Sequence, residues 1–519
     1  MPSITRRHLL NGLASSAAIA PFIGRARAQG APKFKADPFS LGVASGDPDA
    51  NSVVLWTRLA PFPFQPLSGM PSQAVPVDWE IAEDDKMQRV LRRGTAEARP
   101  EDGHSLHVIA EGLAPNRPYW YRFMTGGIAS RIGRTRTLPE RGALPERFRL
   151  AVAGCQRIEH GFFTAWGDIA EADVDLVFHY GDYIYEYALS AEVIAARMTV
   201  PIAAAALPKL GDLAQYRMRY ALYKLDPDLA AAHAAHPFIA SFDDHEVVNN
   251  WGGMSGPPKM SERDFLRLRT AAFQAFYENS PVRPSLRPRG PDITIYRSFD
   301  IGRLMRLASL DTRQFRSPPP CGSAETRRCD ERLAPNRSMI GAAQERWLLD
   351  LFEKRDTAWT VLGNQVLMMQ IRHKEPSQDI VNTDKWDGNA AARARLLQGA
   401  ADRKVSGLVA VTGDIHRAIA GNLMTDFDKP QAAPVGVEFV ATSISSDGDG
   451  GAAANTRKQL LAANSHLRHY DAHRGYLICD FDQERCQAIY RTVDVVTKRG
   501  GKVTTAKTFT IDAKQPGLA

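Results

Sequence analysis

Four short apolar runs in this chain end in the same way, and that shared ending constrains the fold more than any other feature. Phe148-Arg149-Leu150-Ala151-Val152-Ala153 runs into Gly154-Cys155-Gln156. Leu176-Val177-Phe178 leads through His179-Tyr180 into Gly181-Asp182-Tyr183-Ile184-Tyr185-Glu186. Phe238 to Phe242 leads into Asp243-Asp244-His245-Glu246-Val247, with Asn249-Asn250-Trp251 behind it. Val409-Ala410-Val411-Thr412 leads into Gly413-Asp414-Ile415-His416-Arg417. Runs of this length and composition read as buried strands. A strand that stops and then offers a thiol, carboxylate, phenol or imidazole presents that group at the mouth of an open α/β sheet, where such folds bind ligands. Helical stretches lie between and beyond these runs, at Gly161 to Ala172, the Ala-rich Ile194 to Ala235, Glu262 to Tyr277 and Ala343 to Lys354. Further strands fall at Trp359 to Gly363, Val437 to Thr442 and from Gly475 to about Thr510, and Tyr296 to Leu310 reads as a hairpin. Strands alternating with helices predict an α/β domain over residues 148–512.

Each ending alone is weak. The segment around Asp182 reads equally well as a loop Asp capping a helix, with Tyr183, Tyr185 and Tyr187 packed as core. Four such endings on successive strands of one α/β unit are harder to explain as core, because polar groups gathered on one rim must be paired or bind something. Asp182 and Tyr185 are both hard oxygen donors once deprotonated. A tyrosine loses its proton at neutral pH only beside a strong positive charge such as a trivalent metal. Together the four endings supply ligands for at least two metal ions sharing a carboxylate. No Cys-x5-Arg loop follows Cys155, which disfavours it as a covalent nucleophile. Cys155 is otherwise either an inert buried thiol or a ligand.

Residues 37–138 have a different character. Ser52 to Leu59, Val75 to Ile81, His104 to Ala110 and Tyr119 to Thr125 are rich in β-branched and aromatic residues between turn formers, the pattern of an antiparallel sandwich. The alternating aromatics of Tyr119 to Phe123 make this region similar to a fibronectin-type-III domain. A proline-containing linker, Leu138 to Glu146, follows. Ahead of it, residues 1–28 read as a twin-arginine-type signal peptide. Arg6-Arg7 precedes the small-residue apolar run Asn11 to Ile23, and Ala26-Arg27-Ala28 offers a cleavage site. Export by the Tat machinery to a periplasm or the cell exterior is the expectation. No later run is apolar and long enough to span a bilayer. Cys321 with Cys329, and Cys479 with Cys486, are spaced for local disulfides in an oxidising compartment. The net charge is +7, with arginines scattered along the chain. That distribution excludes a nucleic-acid-binding stripe.

The four endings, in this order, resemble the metallophosphoesterase (calcineurin-like) superfamily, and within it the alkaline phosphatase D (PhoD-like) family. The likeness extends to Ser45-Gly46-Asp47-Pro48, Leu55-Trp56-Thr57-Arg58 and Leu310-Asp311-Thr312-Arg313-Gln314. It implies a layered β-sandwich flanked by helices, with the N-terminal β-sandwich domain appended. It further implies a cluster of Fe(III) and two Ca2+, other divalent metals remaining open. Asp182 is expected to bridge the metals, Tyr185 to bind iron as phenolate, and Cys155 and His416 to complete the iron position. Asp244, with Asp243 beside it, and Asp414 are expected to be metal ligands, Asp414 favouring the harder calcium. His245 matches the histidine that protonates the leaving group. Gly363-Asn364-Gln365 stands near another family motif without matching it well. Asp311 and Arg313 read as an internal ion pair. Access is expected to be set by a C-terminal segment and by loops such as Arg316 to Ser338.

The implied activity is hydrolysis of phosphate monoesters or diesters by a metal-bridged hydroxide attacking in line, by a monomer acting on small or polymeric esters. Phospholipase D-like or nuclease action on the same cluster is a second reading. A non-catalytic exported binding module is a third.

Overall fold

Side chains alternate along the central strands and divide them between two interiors. Leu150, Val152, Leu176 and Phe178 face one core, while Ala151, Ala153 and Val177 face another, as a period of two requires. The structure is a computed structural model that describes residues 32–518, except 199–200, 323–324, 328, 373–379, 430 and 452. The signal-peptide segment therefore lies outside the described residues.

The first sheet has nine strands. From one edge they are Val503–Asp512, Arg485–Val493, Arg474–Phe481, Phe148–Ala153, Leu176–His179, Pro237–Ala240, Val43–Gly46, Ser52–Arg58 and Ser105–Glu111. The four from Phe148–Ala153 to Val43–Gly46 are parallel, and the outer strands are antiparallel to their neighbours. The second sheet has seven strands, in the order Arg297–Ile301, Met305–Ser309, Trp359–Gly363, Leu408–Thr412, Pro434–Val440, Ala418–Met424 and Leu467–Asp471. Its middle four, from Met305–Ser309 to Pro434–Val440, are parallel.

The two sheets pack face to face. Leu150, Val152 and Phe178 from the first meet Val361, Val409, Val411 and Phe439 from the second in one buried core. Each fully buried side chain of this kind contributes ~1.5–3 kcal/mol. Helices Thr164–Glu171, Leu213–Lys224, Pro227–Ala235 and Glu262–Asn279 cover the outer face of the first sheet. Gly341–Glu353 and Ala390–Asp402 cover the outer face of the second. Several start on side-chain caps: Asp212 accepts from the Gln215 amide, Ser261 from the Asp264 amide, and Asp226 caps a helix with Pro227 at its first position. The helix–sheet–sheet–helix layering agrees with the layered sandwich implied by the resemblance.

The N-terminal region is tied into this sandwich. Val75–Ala82, Val90–Ala98, Pro118–Thr125, Ile128–Ala129 and Gly133–Arg136 form a separate five-stranded sheet. The facing layer, with Val43, Val53, Leu55 and Leu106 in the shared core, belongs to strands that continue the nine-stranded sheet. Ser45 pairs in parallel with Pro237, and Gly46 with Phe238. The open edge of Pro237–Ala240 is thereby covered.

Two cysteine expectations part ways. Cys321 and Cys329 are disulfide-bonded, whereas Cys479 and Cys486 are free and buried. Cys479 pairs across the hairpin with Ala488, and Cys486 with Phe481. The two thiols are therefore diagonal neighbours on one face, not a directly opposed pair. The C-terminal strand Val503–Asp512 is an edge of the nine-stranded sheet.

Candidate active site

The strand ends converge, but not as successive strands of one sheet. Cys155, Asp182 and the Asp243-Asp244-His245 run follow three adjacent strands of the first sheet, and Asp414 and His416 follow a strand of the second. The expectation of successive strands is corrected by the packing, since the fourth ending comes from the facing sheet. Both sheets end their parallel strands at the same edge of the sandwich, so their loops meet across it.

Close approach explains the glycines at two of these ends. Gly181 has φ 138°, and a Cβ there would lie 2.4 Å from the Asp243 amide nitrogen. A Cβ on Gly413 would lie 2.0 Å from the Tyr180 ring. The polar residues that follow hold left-handed backbone, with φ 52° at Cys155, 56° at Asp182, 69° at Asp414 and 53° at His416. Non-glycine residues in this region cost ~1–3 kcal/mol each and cluster at functional sites.

The side chains form three groups whose ligand atoms lie within 4.8 Å of one another: Cys155, Asp182 and His416; Asp182, Asp244 and His245; Asp243, Asp244 and Asp414. Asp182 belongs to two groups, and so does Asp244. The Tyr185 hydroxyl donates to Asp182 Oδ2 at 2.9 Å and lies 3.3 Å from His416 Nε2 and 2.7 Å from Ser446 Oγ. Cys155 Sγ is 3.4 Å from Asp182 Oδ2. Every sequence-derived site residue, Cys155, Asp182, Tyr185, Asp243, Asp244, His245, Asp414 and His416, therefore sits in one cluster.

The electrostatics are those of crowded buried acids. Burial first, then Asp244 and Asp243, push the Asp182 carboxyl well above the usual range, with His245 opposing. Burial, then Asp182 and Cys155, push the Tyr185 phenol up as well. Burial, then Asp182, Asp414 and Asp243, raise the Cys155 thiol. Burial alone would lower the His245 pKa, but Asp244, Asp182 and Glu186 outweigh it and raise it to about 10.

Other side chains hold this cluster, and sequence reasoning gave them no role or the wrong one. Glu246 accepts from the amides of Asp182, Tyr183 and Asp243 and so ties two strand ends together. Glu186 accepts from His245 Nδ1 at 2.7 Å and from the Asn249 amide. Both glutamates stand inside the quoted motifs, so their place in those runs was the available signal. Asp447 Oδ2 lies 3.0 Å from His416 Nδ1. Arg313 does not pair with the Asp311 side chain as expected. Its guanidinium reaches Asp243 at 2.5 Å, Asp384 at 3.0 Å and Asp414 at 3.4 Å. Asp311 instead accepts from the Arg313 and Gln314 amides, turning the chain so that the arginine points into the acids. Lys385 contacts Asp414 and Asp384, and Arg316 reaches Asp384 at 2.6 Å. Neither Asp384 nor Lys385 follows a strand-end motif. Asn364 and Gln365 lie outside the three donor groups. The Asn364 amide donates to the Val366 carbonyl, and Gln365 bridges Ser241, Leu310 and Thr312.

Two facing sheets whose parallel strands deliver this set of acids, imidazoles, phenol and thiol to one edge are the architecture of a phosphate-ester hydrolase, and the chain belongs to the PhoD-like phosphatase family. The family model matches residues 150–490, and that of the PhoD-like phosphatase N-terminal domain matches residues 24–139. The chain is 40% identical over 507 residues to alkaline phosphatase D of Bacillus subtilis (strain 168), covering 98% of this chain and 86% of that one. A solved structure of PhoD matches with a TM-score of 0.90 at 40% identity, over 94% of this chain and 93% of that chain. The protein is a phosphoric ester hydrolase, which sets aside the binding-module reading. No helix among the described residues is long and apolar enough to cross a membrane.

Proposed function

We propose that this protein is an exported, metal-dependent hydrolase of phosphate monoesters and diesters. The observation that carries the reading is the double membership of Asp182, which shares one donor group with Cys155 and His416 and another with Asp244 and His245. A carboxylate in that position suits two cations at once. The donor chemistry fits cations in other ways. Asp243 Oδ2 is buried without a hydrogen-bond partner among the described residues, and acids buried this closely favour a compensating positive charge. The buried Tyr185 phenol keeps its proton in the chain alone, so a phenolate there requires a strongly charged ion.

Cys155, Asp182, Tyr185 and His416 would hold Fe(III), a mixed soft and hard set. The oxygen-only set of Asp182, Asp243, Asp244 and Asp414 would hold Ca2+. When bound, these ions would activate water for in-line attack at phosphorus and neutralise the phosphoryl oxygens.

The chain's own groups supply the rest. Glu186 engages Nδ1 of His245, leaving Nε2 to carry the proton that the departing oxygen needs. Asp447 fixes the other ring nitrogen of His416, so that Nε2 faces Tyr185. Arg313 and Lys385 hold the acids of the calcium side in place. Export is supported by the order of regions in residues 1–28 and by the Cys321–Cys329 disulfide, which suits an oxidising compartment. Parallel assays on an aryl monoester, a diester, a phospholipid and a nucleic acid, with elemental analysis and a visible spectrum, test the reading. Hydrolysis with bound iron, calcium and a phenolate–iron band is the expected result. Full activity in metal-free, colourless protein would overturn it.

A further inference from the structure

Tyr187 reads in sequence as a packing residue, yet it is only partly buried. Its ring meets the His245 ring edge-on, with centroids 5.3 Å apart and planes at 63°. Buried Arg219 donates to the carbonyls of Tyr185 and Tyr187 and so fixes the backbone that carries both rings. The Tyr187 hydroxyl has no hydrogen-bond partner among the described residues.

Arg157 lies over the same surface. Its guanidinium carbon is 4.8 Å from the Tyr187 centroid and 5.8 Å from that of Tyr185. Its Nε and Nη2 are spent on Glu159, at 3.2 and 3.0 Å. Nη1 makes no hydrogen bond among the described residues. The Arg157 amide donates to Ser446 Oγ at 3.1 Å, the oxygen that also lies 2.7 Å from the Tyr185 hydroxyl. The Arg157 backbone is thus tied to Ser446 and its guanidinium to Glu159, with Nη1 unspent.

We propose that Tyr187 and Arg157 form the leaving-group subsite, which takes planar leaving groups on the Tyr187 ring and pairs an acidic substituent with Arg157. The inference rests on the proposed role of His245. When the P–O bond to the leaving group breaks, its electron pair goes to the departing oxygen, which takes the Nε2 proton of His245. The leaving group must therefore lie against whatever flanks that imidazole. Tyr185 and Glu186 flank it but are buried. Of these three, Tyr187 keeps free surface, and the Arg157 guanidinium lies over its ring. Aromatic contact of this kind is worth up to about a tenfold change in rate.

The test compares kcat/KM on three monoesters, 4-nitrophenyl phosphate, 4-carboxyphenyl phosphate and glycerol phosphate, each relative to the unaltered protein. Tyr187→Ala is expected to lose about tenfold on both aryl esters and less than about twofold on glycerol phosphate. Tyr187→Phe, which keeps the ring, is expected to restore the aryl rates. Arg157→Ala is expected to lose about fivefold on the carboxyphenyl ester while leaving the nitrophenyl ester within about twofold. Equal losses on all three substrates, or no loss on any, would overturn the subsite. If Tyr187→Ala does not fold, the Arg157→Ala comparison decides. Loss of the His245 role itself is read separately, because His245→Ala with undiminished turnover of glycerol phosphate would remove the underlying reading whatever the Tyr187 variants do.

Discussion

Glu186 and His245 are buried against each other, with the carboxylate 2.7 Å from Nδ1 of the imidazole. The second oxygen of Glu186 accepts from the Asn249 amide, so the carboxylate cannot rotate away without losing both bonds. His245 is held in one orientation by a residue with no place in the three donor groups.

This pairing sets the first prediction. Glu186→Gln keeps the shape but removes one of the charges that favour a proton on His245. Turnover of alkyl esters should fall about tenfold or more, with the ~10²–10⁴-fold contribution of general acid catalysis as its upper bound. Turnover of 4-nitrophenyl phosphate should fall less, because nitrophenolate departs without protonation. A steady-state comparison of the two substrates checks this, and equal falls would show that Glu186 does not act through His245.

Asp182→Ala removes the acid common to two donor groups. Hydrolysis should fall by at least about 10³-fold, and elemental analysis should find iron and calcium both reduced. Tyr185→Phe keeps the ring tilted against His245, at 4.1 Å between centroids, but loses the hydroxyl. It should bleach the visible band with the fold intact by circular dichroism. A retained band would move the phenolate assignment elsewhere. Chelation of the unaltered protein should abolish turnover, with calcium restoring the part lost to mild chelators.

Lys224 makes stability depend on pH. It is buried beneath the first sheet, 4.2 Å from the Trp56 ring centroid and 3.2 Å from the Tyr183 hydroxyl. Burial, aided by Arg58, lowers its pKa from 10.5 to about 7. Below about pH 7 the folded and unfolded chains both carry the proton, and the cost of burying the charge is borne in full. Between about pH 7 and 10.5 the unfolded chain holds more protons, so this residue's contribution to stability rises with pH. Lys224→Met should be most favourable, relative to the parent, below about pH 7 and lose that advantage toward pH 10. Urea midpoints measured across that range check the sign.

Thiol counting checks the cysteine assignment. Alkylation of the protein unfolded in denaturant without reductant should modify Cys155, Cys479 and Cys486, leaving the Cys321–Cys329 bond intact. Reductant should expose the remaining pair. Modification of Cys155 alone in the first step would mean that Cys479 and Cys486 are joined after all.

Much of the site was legible because its signals are local. A buried strand, a residue with little or no side chain and donors within four positions form a pattern that needs no knowledge of the rest of the chain. Every donor named from that pattern lies in the cluster. The supporting shell was less legible. Glu186 and Glu246 stood inside the motifs, but nothing local says that one orients an imidazole and the other gathers three amides. Arg313 and Asp311, two residues apart, invited an ion pair. The Asp311 carboxylate caps the turn instead and sends the guanidinium toward Asp243, Asp384 and Asp414. Asp384 and Lys385 sit in no strand-end motif and reach the site only through the chain's return path.

By itself, the sequence determined the α/β character from Phe148 onward and the donors at the strand ends, because strand periodicity and turn chemistry are set by neighbours along the chain. Tertiary structure decided which sheet each donor serves, since two sheets closing on a common core bring Asp414 and His416 across to Cys155 and Asp182. It also decided that Val43–Gly46 joins the large sheet, that Cys479 and Cys486 face one another diagonally without a bond, and that Tyr187 stands clear of the core. Each of these depends on hydrogen-bond register or packing between segments tens to hundreds of residues apart or across a hairpin. Contacts of that kind are fixed by the burial of surface and the pairing of backbone across the whole fold.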